Sequence, residues 1–383
     1  MKSFILGLLC LLPQFLFASS FSIPPYTLQT PDQSVILKFQ LKASQELILE
    51  QNIGRKSRIL FDGPMSAEKL ETLTSEPIQC DQTFKLELKE KITDKILYQK
   101  VLNGSPCLGS KVNRPLYFGF ISDTQQYNDR HLSIAQVIEK KIQEKDVQFI
   151  LNTGDIVQEG DQDNEWKQFL STGNIYMGKV PLIAAIGNHD YRGTKGKNVI
   201  PKLFKKYLRW NQSDDQGDMV LDFESFRLMV FNSNYFKIKR KEEKKQLQWM
   251  INQFEEARRL KKPMIVSMHY PIFSSSMNRF TSGSVRKMRR RLEPLLREYG
   301  IKLVLSGHTH MYERSFKDGV HYVVAGPAGG RVNDPSYKNK YKVYMNPDIL
   351  TYTEFKVFDG LIEMKTWNEK NELVDKVLID LNS

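Results

Sequence analysis

Four of the six histidines in this 383-residue chain, His189, His269, His308 and His310, stand at or just beyond the ends of short apolar runs. Oxygen donors occupy the same kind of position: Asp123 and Gln125 in Ser122-Asp123-Thr124-Gln125, Asp155 in Gly154-Asp155, Asn188 and Asp190 in Gly187-Asn188-His189-Asp190. One histidine or one Gly-Asp after an apolar run is commonplace, whereas five such segments in series are not. Two of these Asp, the Asn and three of these His already make a mixed oxygen and nitrogen donor set without thiolate. That set suits Mn, Fe or Zn better than Ca, which takes oxygen alone, or structural Zn, which usually draws on Cys. The donors exceed what one ion needs, and a carboxylate can bridge. The chemistry implied is a pair of divalent or trivalent ions ~3.5–4 Å apart, holding a hydroxide and clamping both oxygens of a phosphoryl displacement.

Donors so far apart in sequence meet only if neighbouring strands deliver them to one place. The runs 116–121, 147–151, 180–186, 264–268 and 301–305 are almost wholly apolar, as strands buried on both faces are. Helical stretches near 133–145, 164–170, 201–210, 246–259 and 284–299 alternate with them. The pattern predicts an α/β fold with a sheet covered on both faces, whose loops beyond the carboxyl ends of the strands share one crevice. The run 219–231 reads as one strand, and the tail from Tyr352 as a hairpin turning at Asp359-Gly360.

Residues 21–113 follow a different rhythm. Leu37, Phe39 and Leu41 alternate with Lys38, Gln40 and Lys42, and Phe84, Leu86 and Leu88 with Lys85 and Glu87. Short strands at this spacing predict a small all-β sandwich ahead of a catalytic domain over 114–383. Residues 1–20 read as a signal peptide cleaved after Ser20: Lys2 precedes an apolar stretch shorter than the ~20 residues of a membrane-spanning helix. The expectation is a secreted or periplasmic protein without a transmembrane segment. Cys10 leaves with that peptide, so Cys80 and Cys107 remain as an even pair, expected to form a disulfide.

The net charge is +12, and between Lys237 and Lys302 there are 18 Lys/Arg against 6 Asp/Glu. Most of this excess reads as solvated helix faces that mildly steer anions. No interleaved aromatic platform accompanies it, so no specific nucleic acid partner is expected. Composition excludes collagen, a disulfide-dense mini-protein and a disordered chain.

Taken together, Asp-x-Gln at 123–125, Gly-Asp at 154–155, Gly-Asn-His-Asp at 187–190, His269 and Gly-His-x-His at 307–310 resemble the calcineurin-like metallophosphoesterase signature. His310-Met311-Tyr312-Glu313-Arg314 and the segment Leu292-Glu293-Pro294-Leu295-Leu296 are similar to purple acid phosphatases, as is the preceding β-domain, of fibronectin III-like layout. The resemblance implies an α/β/β/α sandwich. It implies that Asp123, Asp155 and His310 bind one ion, that Asp155 bridges, and that Asn188, His269 and His308 complete the second site. His189 would protonate the leaving alcohol or stabilise the transferring phosphoryl group, with Asp190 orienting it.

The chain departs from that pattern in three places. Gln125 stands where the family carries His or Gly, and offers at best a neutral carbonyl oxygen. Gln158 replaces the tyrosine that colours purple acid phosphatases, so no such colour is expected. The stretch 270–307 holds no histidine, and Ser274 to Ser276, Asn278 and Arg279 are the candidates there for substrate phosphate. The first site is therefore expected to hold its ion more weakly than the second. The function implied is hydrolysis of a phosphorylated small molecule, a phosphate monoester by the closest motifs. A phosphodiesterase or nucleotidase on the same metal core is the near alternative, and a non-catalytic exported binding protein the distant one.

Overall fold

In the computed structural model the described residues are 20–105, 107, 114–194, 200–209, 217–234, 240–333 and 335–381, with the side chains of 240–242, 278, 279 and 284 excepted. The expected signal peptide lies outside the described residues, apart from Ser20. Seven strands come first: β1 (Phe21–Gln29), β2 (Val35–Leu41), β3 (Gln45–Ile53), β4 (Lys56–Met65), β5 (Glu71–Thr74), β6 (Thr83–Glu90) and β7 (Ile96–Asn103). Their alternating side chains make two sheets, β1-β2-β5 and β4-β3-β6-β7. Leu37, Phe39 and Leu41 from one face meet Leu47, Leu49 and Leu88 from the other. Cys80 and Cys107 are joined by a disulfide.

Strands and helices then alternate: β8 (Leu116–Ile121), α1 (Asn128–Glu144), β9 (Val147–Asn152), α2 (Asp163–Met177), β10 (Leu182–Ala184) and α3 (Lys202–Leu208). A second series follows as β11 (Met219–Asp222), β12 (Arg227–Phe231), α4 (Arg240–Leu260), β13 (Met264–Met268), α5 (Met277–Thr281), α6 (Gly283–Glu298) and β14 (Leu303–Ser306). The chain closes with β15 (Tyr312–Lys317), β16 (Val320–Val324), β17 (Lys342–Asn346), β18 (Thr351–Phe358), β19 (Leu361–Asn368) and β20 (Leu373–Asp380). The run 219–231 is thus a hairpin rather than one strand, because Asp222 to Phe226 turn the chain and β11 pairs antiparallel with β12. Asp359 and Gly360, both at positive φ, make the turn between β18 and β19.

Two sheets face each other. One runs β20-β19-β18-β8-β9-β10-β1-β2-β5 and the other β11-β12-β13-β14-β16-β15-β17. Side chains alternate between layers, as the period of a strand requires. Phe118 and Phe120 of β8, Ile265 of β13 and Leu303 of β14 fill the space between the sheets. Ile121 and Ile150 point outward to α1 and α2, while Met264, Val266 and Val304 point outward to α4 and α6. Each sheet is therefore buried on both faces, by helices on one side and by the other sheet on the other. That gives an α/β/β/α sandwich, and explains why near-continuous apolar runs did not distinguish one sheet from two. The all-β part is not a detached bead: β1 pairs in parallel with β10, Leu28 opposite Leu182, so one sheet runs through both parts.

Candidate metal centre

The carboxyl ends of β8, β9, β13 and β14 and the loop after β10 open into a common crevice, and their loops are tied to one another by backbone hydrogen bonds. Asp123 N–H donates to Gly154 O (3.0 Å), Gln125 N–H to Asp155 O (3.3 Å) and Gly307 N–H to His269 O (3.0 Å). Asp123, Asp155 and His308 hold left-handed backbone, with φ of 54°, 52° and 67°. Such conformations cost non-glycine residues free energy and concentrate at functional sites. The motif glycine Gly187 has a steric cause, since a Cβ there would stand 2.0 Å from Asp155 N and 2.2 Å from its Oδ1. Gly154 packs against the same loop, and its Cβ would fall 2.4 Å from Gly187 N. Only bare backbone lets the β9 and β10 loops approach this closely.

The donors fall into two overlapping groups, Asp123 with Asp155 and His310, and Asp155 with His269 and His308. Within each group the ligand atoms lie within 4.8 Å of one another, and all of these residues are buried. Asp155 belongs to both. Asn188 joins the second group, its Oδ1 3.2 Å from His269 Nε2. His269 Nδ1 faces the Thr153 carbonyl at 3.0 Å and His310 Nδ1 the Arg331 carbonyl at 2.6 Å. A carbonyl accepts only, so each Nδ1 carries the proton and each Nε2 turns a lone pair towards the carboxylates. His269 Nε2 is 3.2 Å from Asp155 Oδ2, and His310 Nε2 is 3.3 Å from Asp123 Oδ1.

The electrostatics of this cluster are those of a cation site. Burial would raise Asp155, yet His269 and His189 beside it hold it well below the usual carboxylate range. Burial would lower His269 and His310, but the facing charges of Asp155 and Asp123 raise both. Lone pairs this attractive to a proton are equally attractive to a metal ion, which replaces the proton on binding. Gln125 Oε1 is buried without a hydrogen-bond partner, while its Nε2 lies 3.2 Å from His310 Nε2 and 3.4 Å from Asp155 Oδ2. An unsatisfied buried carbonyl beside these donors is what an oxygen-binding ion would satisfy. The residues fit a metal pair.

His189 sits at the rim. Its Nδ1 faces Gln158 O at 3.0 Å, and its Nε2 lies 3.9 Å from Asp155 Oδ2 and 3.1 Å from Arg192 Nη2. Burial lowers its pKa, with Arg192 and His269 adding to the effect. The expectation that Asp190 orients this ring is corrected by the structure. The Asp190 carboxylate accepts instead from four backbone N–H groups, Gly187 (2.8 Å), Ile156 (2.9 Å), Asp155 (3.1 Å) and Val157 (3.3 Å). It fastens the β9 and β10 loops together, and the ring is oriented by the Gln158 carbonyl. Burial and the nearby Asp155 push Asp190 up to about 7, against the pull of those N–H groups.

Ser274 and Ser275 are bonded within the protein: Ser274 Oγ meets Thr309 Oγ1 at 3.1 Å, and Ser275 donates through N–H and Oγ to the buried carboxylate of Glu313. The side chains of Asn278 and Arg279 lie outside the described residues, and their backbone is part of α5. Arg192 was missed in the sequence, although it stands two residues beyond a motif. The orienting carbonyls of Thr153, Gln158 and Arg331 were missed too, because a backbone acceptor leaves no mark on side-chain type.

Two facing sheets with helices outside, and paired donor groups at the strand ends, define a metallophosphoesterase. The chain belongs to the calcineurin-like phosphoesterase family, whose model matches residues 116–312. It therefore carries the catalytic domain of metal-dependent phosphoric ester hydrolases. It is similar to tartrate-resistant acid phosphatase type 5 of Homo sapiens, 26% identical over 251 residues that cover 59% of this chain and 74% of that protein. It is also similar to purple acid phosphatase 1 of Ipomoea batatas, 26% identical over 212 residues, 52% of this chain and 43% of that protein. In fold it resembles purple acid phosphatase PPD1 of yellow lupin (Lupinus luteus), with a TM-score of 0.76 and 14% identity over 93% of this chain and 74% of that one.

Proposed function

We propose that this chain is an exported phosphatase that hydrolyses phosphate monoesters at a two-metal centre. The observation that supports the reading is that Asp155 belongs to both buried donor groups, as a bridging ligand would. Asp123, Asp155 and His310, with Gln125 at their edge, would hold one ion. Asn188, His269 and His308, again with Asp155, would hold the other. When bound, Mn, Fe or Zn would supply a water-derived nucleophile and the positive charge that a phosphoryl transition state needs. The chain's own residues supply the rest. The carbonyls of Thr153 and Arg331 keep His269 and His310 in the tautomer that presents Nε2. His189 turns its Nε2 to the rim with Nδ1–H held by the Gln158 carbonyl, so Nε2 would give the leaving oxygen a proton only after first taking one from solvent.

Preference for monoesters is supported by the relatives, which are acid phosphatases by name. Export is supported by the apolar leader read in the sequence and by the Cys80–Cys107 disulfide, a bond that persists in oxidising compartments. A chromogenic phosphate monoester and the matching diester, assayed with added Mn, Fe or Zn, separate the readings. Faster turnover of the monoester is expected, and a preference for the diester would move the chain to the phosphodiesterases.

A further inference from the structure

Arg192 is a cation at the mouth of the crevice that the reaction as described does not use. Its guanidinium is held along one edge: Nη1 donates to Glu159 Oε1 at 2.7 Å and to Gln158 O at 3.3 Å. Nη2 lies 3.1 Å from His189 Nε2. The side chain is 39% exposed, so an arriving solute can reach it. His189 Nδ1 lies 3.0 Å from the same Gln158 carbonyl, so ring and guanidinium hang side by side from one anchor.

This arrangement is poised for exchange. A planar guanidinium bonds best to carboxylate or phosphate oxygens, and a neutral imidazole nitrogen is a poor substitute. His189 Nε2 cannot accept from Arg192 and also serve a leaving oxygen. The two roles are compatible only if Arg192 finds another acceptor when substrate binds. Among the described residues, Ser274 and Ser275 are committed to Thr309 and Glu313 and do not compete for that acceptor.

We propose that Arg192 binds the substrate phosphate. Nη2 gives up His189 for a non-bridging phosphate oxygen, Glu159 keeps Nη1 in place, and the freed His189 Nε2 takes a proton from solvent water that it can then pass to the leaving oxygen. A fixed cation favours a dianionic monoester over a monoanionic diester, so this residue also sets the ester class. The inference rests on the phosphatase reading above.

The test uses the metal-loaded full chain as wild type, R192A and R192K, measuring affinity for inorganic phosphate by calorimetry and kcat and KM on the matched monoester and diester. R192A is expected to weaken phosphate binding and raise the monoester KM by about 10- to 100-fold, the range of a charge-assisted hydrogen bond. Its kcat and diester KM should move less, and R192K should recover part of the loss. Phosphate affinity unchanged in R192A overturns the proposal. So does an equal loss on both esters with no recovery in R192K, the signature of a purely structural partner of Glu159. If R192A does not fold, R192Q carries the same expectations. Wild type that turns over neither ester would sink the phosphatase reading alone, since a loss of phosphate binding in R192A would still support the anion site.

Discussion

Asp190 and His189 are neighbours in sequence with separate work in the structure. Four backbone N–H groups converge on Asp190. Asp190→Asn would turn an amide N–H towards some of those donors and leave them buried without acceptors, a cost of about 3 kcal/mol. It should also loosen metal retention, because the fastened loops carry Asp155 and Asn188. His189→Ala should cut kcat by about 10²- to 10⁴-fold, the usual weight of a positioned acid, and leave metal content and melting temperature nearly unchanged. Thermal melts and metal analysis of the two variants separate these roles, and matching profiles would return Asp190 to the service of His189. That these side chains gather in one place was legible because histidine is scarce here and because polar residues interrupt apolar runs at strand ends. Asp190 was legible as a member of the site but not in its role, since a carboxylate that binds backbone looks no different in sequence from one that binds a side chain.

Helices α1 and α2 meet around His131, whose ring stacks on Phe169 with centroids 5.4 Å apart and bonds Tyr176 Oη at 3.2 Å. Burial pushes its pKa down to about 3 from the ordinary 6.5. The folded protein refuses a proton that the unfolded chain accepts below pH 6.5. This group's contribution is therefore complete above that pH and is lost as pH falls towards 3. At pH 5 the loss is about 2 kcal/mol relative to neutral pH. Urea unfolding of wild type and His131→Phe at pH 5 and pH 7 checks this. The variant should lose about that much less stability on acidification, and an unchanged difference would contradict it. At this scale the sequence was read unevenly. Strands buried on both faces announced themselves by length and apolarity, but the same runs fit a helix layer or a second sheet behind them. The β11–β12 hairpin was legible in Asp222, Glu224 and Ser225, which interrupt the run, but the buried Phe223 and Phe226 beside them let it pass as one strand.

At the scale of the whole molecule, the all-β part and the catalytic part share a sheet and a core. Beyond the β1–β10 pairing, Tyr26 Oη donates to Tyr207 O at 2.9 Å, Thr27 Oγ1 to Met177 O at 3.0 Å and Lys38 Nζ to Lys206 O at 2.7 Å. Residues 114–383 alone would bare the edge of β10 and the apolar faces of α2 and α3, an invitation to edge pairing and aggregation. That fragment is expected to aggregate or to melt well below the full chain, and a fragment as stable as the full chain would show the two parts to be independent. Period-two patterning made the β-sandwich legible, whereas its continuity with the catalytic sheet depends on a single short parallel pairing that leaves no periodic trace. In the proposed metal centre two ions share Asp155, and the one beside Gln125 is held less firmly. Metal analysis of wild type and Asp155→Asn after dialysis, each with an activity titration, tests it most directly. Wild type should keep about one equivalent and regain the second, with activity, when Mn or Fe is added. Asp155→Asn should keep neither and lose at least ~100-fold in turnover, beyond the 10–100-fold typical of losing an outer partner. Two equivalents retained by Asp155→Asn, or full activity without metal, would contradict the account.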